Sequence, residues 1–180
     1  MIKSVILVTS NSGKASEFSR LLGIEVEAMK VPLPEVQGLD VREVARAKAL
    51  AAFEQIGRPV LVDDSGIEFS AWSGLPGALT SWFMDTVGND GLIQMLTGFT
   101  DRDARVVTAL GYCTASGVQV VDGVVSGHIA ASPVGTNGFG YDPIFIPNGA
   151  QKTFAEMSDD EKDVNSMRAI ACAKLRVIMS

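Results

Sequence analysis

Apolar positions along this chain switch between two periods, and the switches mark the elements. Ser4–Val8 is apolar and β-branched, which predicts a strand. A polar break follows, and Ala15, Phe18, Leu21 and Leu22 then recur at helical spacing until Gly23. Glu25–Met29 predicts a short second strand, and residues 30–38 carry two prolines and a glycine that require extended loop. Asp40, with Glu43 three positions on, predicts a helix start, and Val44, Ala45, Ala49, Ala52, Phe53 and Ile56 trace its buried face up to Gly57.

The second half reads differently. Residues 59–62 form a short apolar run expected to be a buried strand delivering Asp63 and Asp64 into a Ser65-Gly66 turn. Gly74-Leu75-Pro76-Gly77 predicts a tight turn ahead of the apolar cluster Trp82, Phe83 and Met84, and residues 90–96 predict a short helix. Residues 105–114 and 118–131 read as long antiparallel strands around Ala115-Ser116-Gly117. A glycine-rich stretch from Gly135 enters a strand at 144–146, and Ser158 with Glu161 forms a capping box. Val164, Met167, Ile170, Ala171, Leu175 and Ile178 then predict one closing amphipathic helix. Strand–helix alternation followed by a hairpin predicts an α/β fold.

Composition narrows the function classes. At 180 residues, 47% hydrophobic and 20% charged, the chain is expected to be a single globular domain over residues 1–180, without disorder or repeats. The net charge of −6, with scattered Lys and Arg, argues against nucleic-acid binding. Val5 to Val8 is too short for a signal segment or a membrane span, so no membrane partner and a cytoplasmic location are expected. Cys113 and Cys172 suit reduced structural thiols, and His128, the only histidine, lacks a nucleophile or second histidine in a recognisable arrangement.

Three stretches carry candidate chemistry. Adjacent carboxylates repel each other, so Asp63 and Asp64 need a divalent cation, a lysine partner or plain exposure in a turn. Thr9-Ser10-Asn11-Ser12-Gly13-Lys14 sits between a strand and a helix, where free N–H groups, the helix dipole and Lys14 would attract a phosphate; an ordinary capped helix start fits equally. The run Gly138-Phe139-Gly140-Tyr141-Asp142 either lets backbone and aromatic rings approach a flat ligand or is a glycine-rich turn.

Taken in order, TSNSGK, LPEVQG, VDDSGIEFSAWSGLPG, GFGYDPIF, KTFAEM and EKDVNSMRAIA resemble the inosine triphosphate pyrophosphatase family, also called XTP/dITP pyrophosphatases, over nearly the whole chain. The resemblance implies a long twisted mixed sheet in two lobes around a nucleotide cleft, a homodimer, and hydrolysis of deaminated purine nucleoside triphosphates (ITP, dITP, XTP) to monophosphate and pyrophosphate with Mg²⁺. It implies that Thr9 to Lys14 hold the triphosphate, chiefly through Asn11 and Lys14, with Lys48 nearby. Glu35, Asp63 and Asp64 would form the metal centre, with Asp64 also the base that activates water and Ser65 touching substrate. Phe139, Gly140, Tyr141 and Asp142 would surround the base, with Lys162 and Arg168 from the last helix. One position departs from the family pattern: Met167 stands where the family carries histidine. A thioether donates no hydrogen bond, so either purine discrimination is relaxed or Arg168 and backbone groups suffice. Trp82 and Phe83 are the candidates for the dimer contact. The rival readings are a pyrophosphatase of different or broader nucleotide range, a nucleotide-binding module without catalysis, and a structural or partner-binding α/β domain.

Overall fold

The computed structural model describes residues 3–9, 12–34 and 36–179, the side chains of Ser12, Gly13 and Asn165 excepted. In chain order the strands are β1 (Ser4–Val8), β2 (Glu25–Met29), β3 (Val60–Phe69), β4 (Pro76–Gly77), β5 (Asp103–Thr114), β6 (Gly117–Ile129) and β7 (Phe145–Pro147). The helices are α1 (Ser12–Leu22), α2 (Val41–Ile56), α3 (Thr80–Thr86), α4 (Gly88–Met95), α5 (Asp159–Asn165) and α6 (Met167–Met179). Among these residues no helix is long and apolar enough to cross a membrane.

One mixed sheet carries the fold, in the order β2-β1-β3-β5-β6-β7, with β4 paired to β3. β1 runs parallel to β2 and β3, as its crossover helices require, and the remaining pairs are antiparallel. This is the α/β mixed sheet expected. Helices cover both faces. Phe18 and Leu22 of α1 and Ala171, Cys172 and Leu175 of α6 pack on Leu7, Leu61 and Leu110. Ala45, Ala49 and Ala52 of α2 pack on Ile6, Val62 and Ala109 of the opposite face. A third cluster fills the far end of the sheet, where Leu92, Leu96, Phe145 and Phe154 surround Ile67 and Phe69. Contact is close enough on both faces to require glycine: a Cβ on Gly111 would lie 2.5 Å from the Ala45 carbonyl oxygen, and one on Gly123 would lie 1.8 Å from that of Met167.

Two expectations are corrected here. The strand entering Asp63 does not end at Val62 in a Ser-Gly turn. β3 runs ten residues, to Phe69, because β5 pairs with every one of its positions from Val60↔Cys113 to Phe69↔Ala104. The turn-like composition of Asp-Asp-Ser-Gly yields to that ladder. The closing helix is also two helices. Ser166 adopts extended angles (φ −78°, ψ 152°), and its hydroxyl accepts the Ala169 N–H at 3.1 Å, capping α6 where one continuous helix was expected. The break leaves Val164 74% exposed, although the helical period put it on the buried face. It also sends Arg168 into the interior, where 1% of the residue is exposed.

Candidate active site

The site forms where β1 stops. β1 pairs with β3 only at Ile6↔Val60 and Leu7↔Leu61, whereas β3 continues. Its edge beyond Leu61 is free of that neighbour just where Asp63 and Asp64 follow. Successive strand residues face opposite sides of a sheet, and the two carboxylates do so. Asp63 faces α1 and α6: Lys14 Nζ donates to its Oδ2 at 2.8 Å, and Arg168 Nη2 lies 3.8 Å from the same oxygen. Asp64 faces α2, and Lys48 Nζ donates to its Oδ1. Of the choices open to an adjacent acid pair, each carboxylate has taken its own lysine.

The two environments differ in strength. Burial alone would raise the carboxyl of Asp63, but Lys14 and Arg168 outweigh it and hold that group below the ordinary carboxylate range. For Asp64 burial wins: with Asp63 as a like-charged neighbour, the group lies above its ordinary value despite Lys48. The Oδ2 of Asp64 is buried and has no hydrogen-bond partner. Lys14, Lys48, Asp63 and Asp64 line one cleft of about 350 Å³ together with Thr9 and Lys30.

Lys14 also lines a second cavity of about 390 Å³, walled by Glu17, Phe139 and Lys162. Phe139 is 46% exposed, with Lys14, Lys162 and Arg168 at 5.9, 5.6 and 5.4 Å from its ring centre. An aromatic face ringed by cations offers stacking to a flat, electron-rich ligand. Tyr141 does not share this role, because it is buried at 7% exposure among the residues of the far core. Asp142 is a brace: its Oδ2 accepts the Phe139 N–H at 2.9 Å and Lys162 Nζ at 2.5 Å. Gly138, at φ +75°, packs against that brace, and a Cβ there would meet Asp142 Oδ2 at 2.0 Å. Asn89 of α4 donates its side-chain amide to the Gly140 carbonyl at 3.0 Å, tying the loop from below.

Arg168 is buried behind the two cavities, between Glu17, which lines one, and Asp63, which lines the other. Its Nη1 donates to both oxygens of Glu17 at 2.8 Å, while Nε and Nη2 are buried without a hydrogen-bond partner. Unmet donors of a buried guanidinium beside Phe139 are suited to oxygen acceptors on a ligand. Glu17, Asn89 and Lys30 were not singled out from the sequence. Glu17 was accessible by period, since it lies three residues after Lys14 and so on the same helix face; nothing local marks Asn89.

Other expected residues fall elsewhere. Ser65 sits mid-strand, its hydroxyl bonded to Thr108 Oγ1 at 2.7 Å, and it lines neither cavity. Met167 is 3% exposed and packs with the far core, so its side chain offers nothing to the cleft. Ser10, Asn11 and Glu35 lie outside the described residues, as do the side chains of Ser12 and Gly13. Among the described residues no group of three or more His, Cys, Asp or Glu stands ready for a metal. Both cysteines are free and buried, and burial pushes the Cys172 thiol up to about 12.

Known proteins resemble this chain along its length. The model of the Ham1 family matches residues 5–178. A dITP/XTP pyrophosphatase of Methanopyrus kandleri is 41% identical over 88% of this chain and 86% of its own length. An inosine triphosphate pyrophosphatase of Yarrowia lipolytica is also 41% identical, over 98% of this chain and 96% of its own. The solved structure of the Staphylococcus aureus Ham1 protein superposes with a TM-score of 0.87 at 30% identity, covering 98% of each chain.

Proposed function

The chain belongs to the Ham1 family, and from that premise we propose that it is a nucleoside triphosphate pyrophosphatase that converts ITP, dITP and XTP to the monophosphate and pyrophosphate. One observation carries the reading: Asp64, with an unpartnered, buried carboxylate oxygen, lines a cleft that three lysines also line. An acceptor oxygen left bare beside lysines has a use when a cation and a polyanion enter together. The pyrophosphatase names of the relatives support the same reaction.

Mg²⁺ fits this donor set, which is all oxygen: Asp64 first, with Asp63 and Glu35 as the further carboxylates expected to hold it. When bound it would neutralise phosphate charge and acidify a coordinated water. Phe139 stacks on the purine, and the free donors of Arg168 meet its oxygen substituents. Lys14 and Lys48 leave their carboxylates to engage the phosphates, which brings charge to the leaving pyrophosphate. Water attacks the α-phosphorus, its proton passes to the Asp64 carboxylate, and the α–β bridging P–O bond breaks as pyrophosphate departs. No covalent enzyme intermediate is needed. With Met167 turned into the core, discrimination against adenine falls to Arg168 and the backbone of the Phe139–Asp142 loop. We propose a cytoplasmic homodimer as the working form.

The test is pyrophosphate release from ITP, XTP, dITP, ATP and GTP in parallel, with Mg²⁺ and with EDTA, and identification of the nucleotide product. Monophosphate formation that needs metal and favours ITP and XTP is expected. Equal turnover of ATP and GTP would overturn the substrate assignment, and binding of ITP without release from any of the five would favour a non-catalytic module.

A further inference from the structure

Of the three lysines lining the main cleft, two are already neutralised. Lys14 is held by Asp63 and Lys48 by Asp64, whereas Lys30 has no ion-pair partner among the described residues and is exposed. Its place is set by the sheet. Lys30 follows Met29, the last residue of β2, which pairs with Val8, and the Met29 carbonyl accepts the Thr9 N–H at 3.0 Å. The strand order β2-β1-β3 puts Lys30 on the far side of β1 from the two aspartates. Two strand spacings make that offset roughly 10 Å. Lys14 is common to both cavities, Phe139 belongs only to one and Lys30 only to the other. A nucleotide with its base on Phe139 and its α-phosphate beside Lys14 and Asp64 therefore extends its phosphate chain toward Lys30.

We propose that Lys30 is a substrate-binding residue that contacts the terminal phosphate and gives the site its preference for triphosphates over shorter chains. The proposal rests on the pyrophosphatase reading above. Lys30 supplies the one uncompensated positive charge among those three lysines, and the third phosphate is what distinguishes a triphosphate from a diphosphate. A flexible ammonium at the cleft mouth meets that phosphate without being held by a carboxylate beforehand.

Lys30→Ala and Lys30→Gln are expected to raise KM for ITP by about five- to tenfold while leaving kcat within about twofold, as loss of one partly exposed charge-assisted contact predicts. Lys30→Arg should restore the KM. Inhibition by inosine diphosphate should be unchanged in all three variants. An unaltered KM, or a diphosphate inhibition constant that weakens in step with it, overturns the assignment. A second measurement needs no turnover: tripolyphosphate should raise the melting temperature more than pyrophosphate does, and Lys30→Ala should erase that difference. Wild-type protein that shows this difference but hydrolyses no nucleotide would retire the pyrophosphatase reading and keep Lys30 as the terminal-phosphate contact. Equal shifts for the two anions in wild type, or a difference that persists in Lys30→Ala, would retire the role of Lys30.

Discussion

Asp63 and Asp64 share a peptide bond and almost nothing else. Asp63 is locked between Lys14 and Arg168 in a setting that favours its charged form, and Asp64 stands in one that disfavours it. A carboxyl lowered by folding stabilises the fold above its unfolded value, and that contribution is lost as pH falls through the lower folded value. Asp63 is thus expected to contribute to stability across the neutral range and to lose that contribution only in strong acid, below its unfolded value of 3.8. Asp63→Asn leaves Lys14 without its counter-charge and the buried Arg168 guanidinium with Glu17 alone, and should cost about 3 kcal/mol at pH 7. In chelator-treated protein the difference from wild type should shrink as pH drops below the ordinary carboxylate range, measured by urea unfolding at several pH values. A deficit that does not depend on pH would mean that Asp63 acts by packing alone. The pairings behind this were beyond sequence reading, since Glu17 and Arg168 are 151 positions apart. The types needed, acid beside acid and lysine in a first helical turn, were legible.

Elements whose signal is local were read correctly: the β1–α1 opening, the Asp40 start of α2 with its side chain accepting the Arg42 N–H at 2.8 Å, the Ser158 capping box and the long hairpin. Elements decided by a distant partner were not. β5 stretches β3 through turn-like residues, and the single hydroxyl of Ser166 splits a periodic apolar run in two. α4 has a part in the site that its amphipathic pattern conceals, because Asn89 reaches out of it to the Gly140 carbonyl. Removing that tether should loosen the Phe139 loop without unfolding the core. Asn89→Ala is expected to raise KM for ITP by about fivefold with a change of less than about 1 kcal/mol in global stability, following the worth of one hydrogen bond. Steady-state kinetics beside thermal melts decide it, and an unchanged KM would make the bond incidental.

At the scale of the whole molecule, the helical layers and the far core all pack on one sheet, and one of the apolar surfaces they leave exposed lies beside α3. Leu39 is 64% and Trp82 57% exposed there, and they line a shallow apolar hollow with Leu79 and Phe83. Phe83 itself turns partly inward against Trp72, so of the two residues expected at a dimer contact, Trp82 is the one that faces out. If this surface joins two copies, a charge placed in it should separate them. Leu39→Asp is expected to convert a dimer to a monomer in light scattering at micromolar concentration, and Leu39 does not line the cleft. A wild-type monomer at that concentration would end the idea.

The opposed facing of Asp63 and Asp64 also bears on how such a chain can change over time. Side-chain direction in β3 is a matter of parity, so the strand counts residues as well as naming them. Deleting or inserting one residue just before Asp63 would hand each acid to the wrong helix, Asp63 toward Lys48 and Asp64 toward Lys14, with the composition of the cleft intact. Point changes along β3 leave this parity untouched, while a change in its length does not. In any library of variants of this protein, single-residue indels between Val60 and Val62 should be depleted far more deeply than conservative apolar substitutions at the same positions.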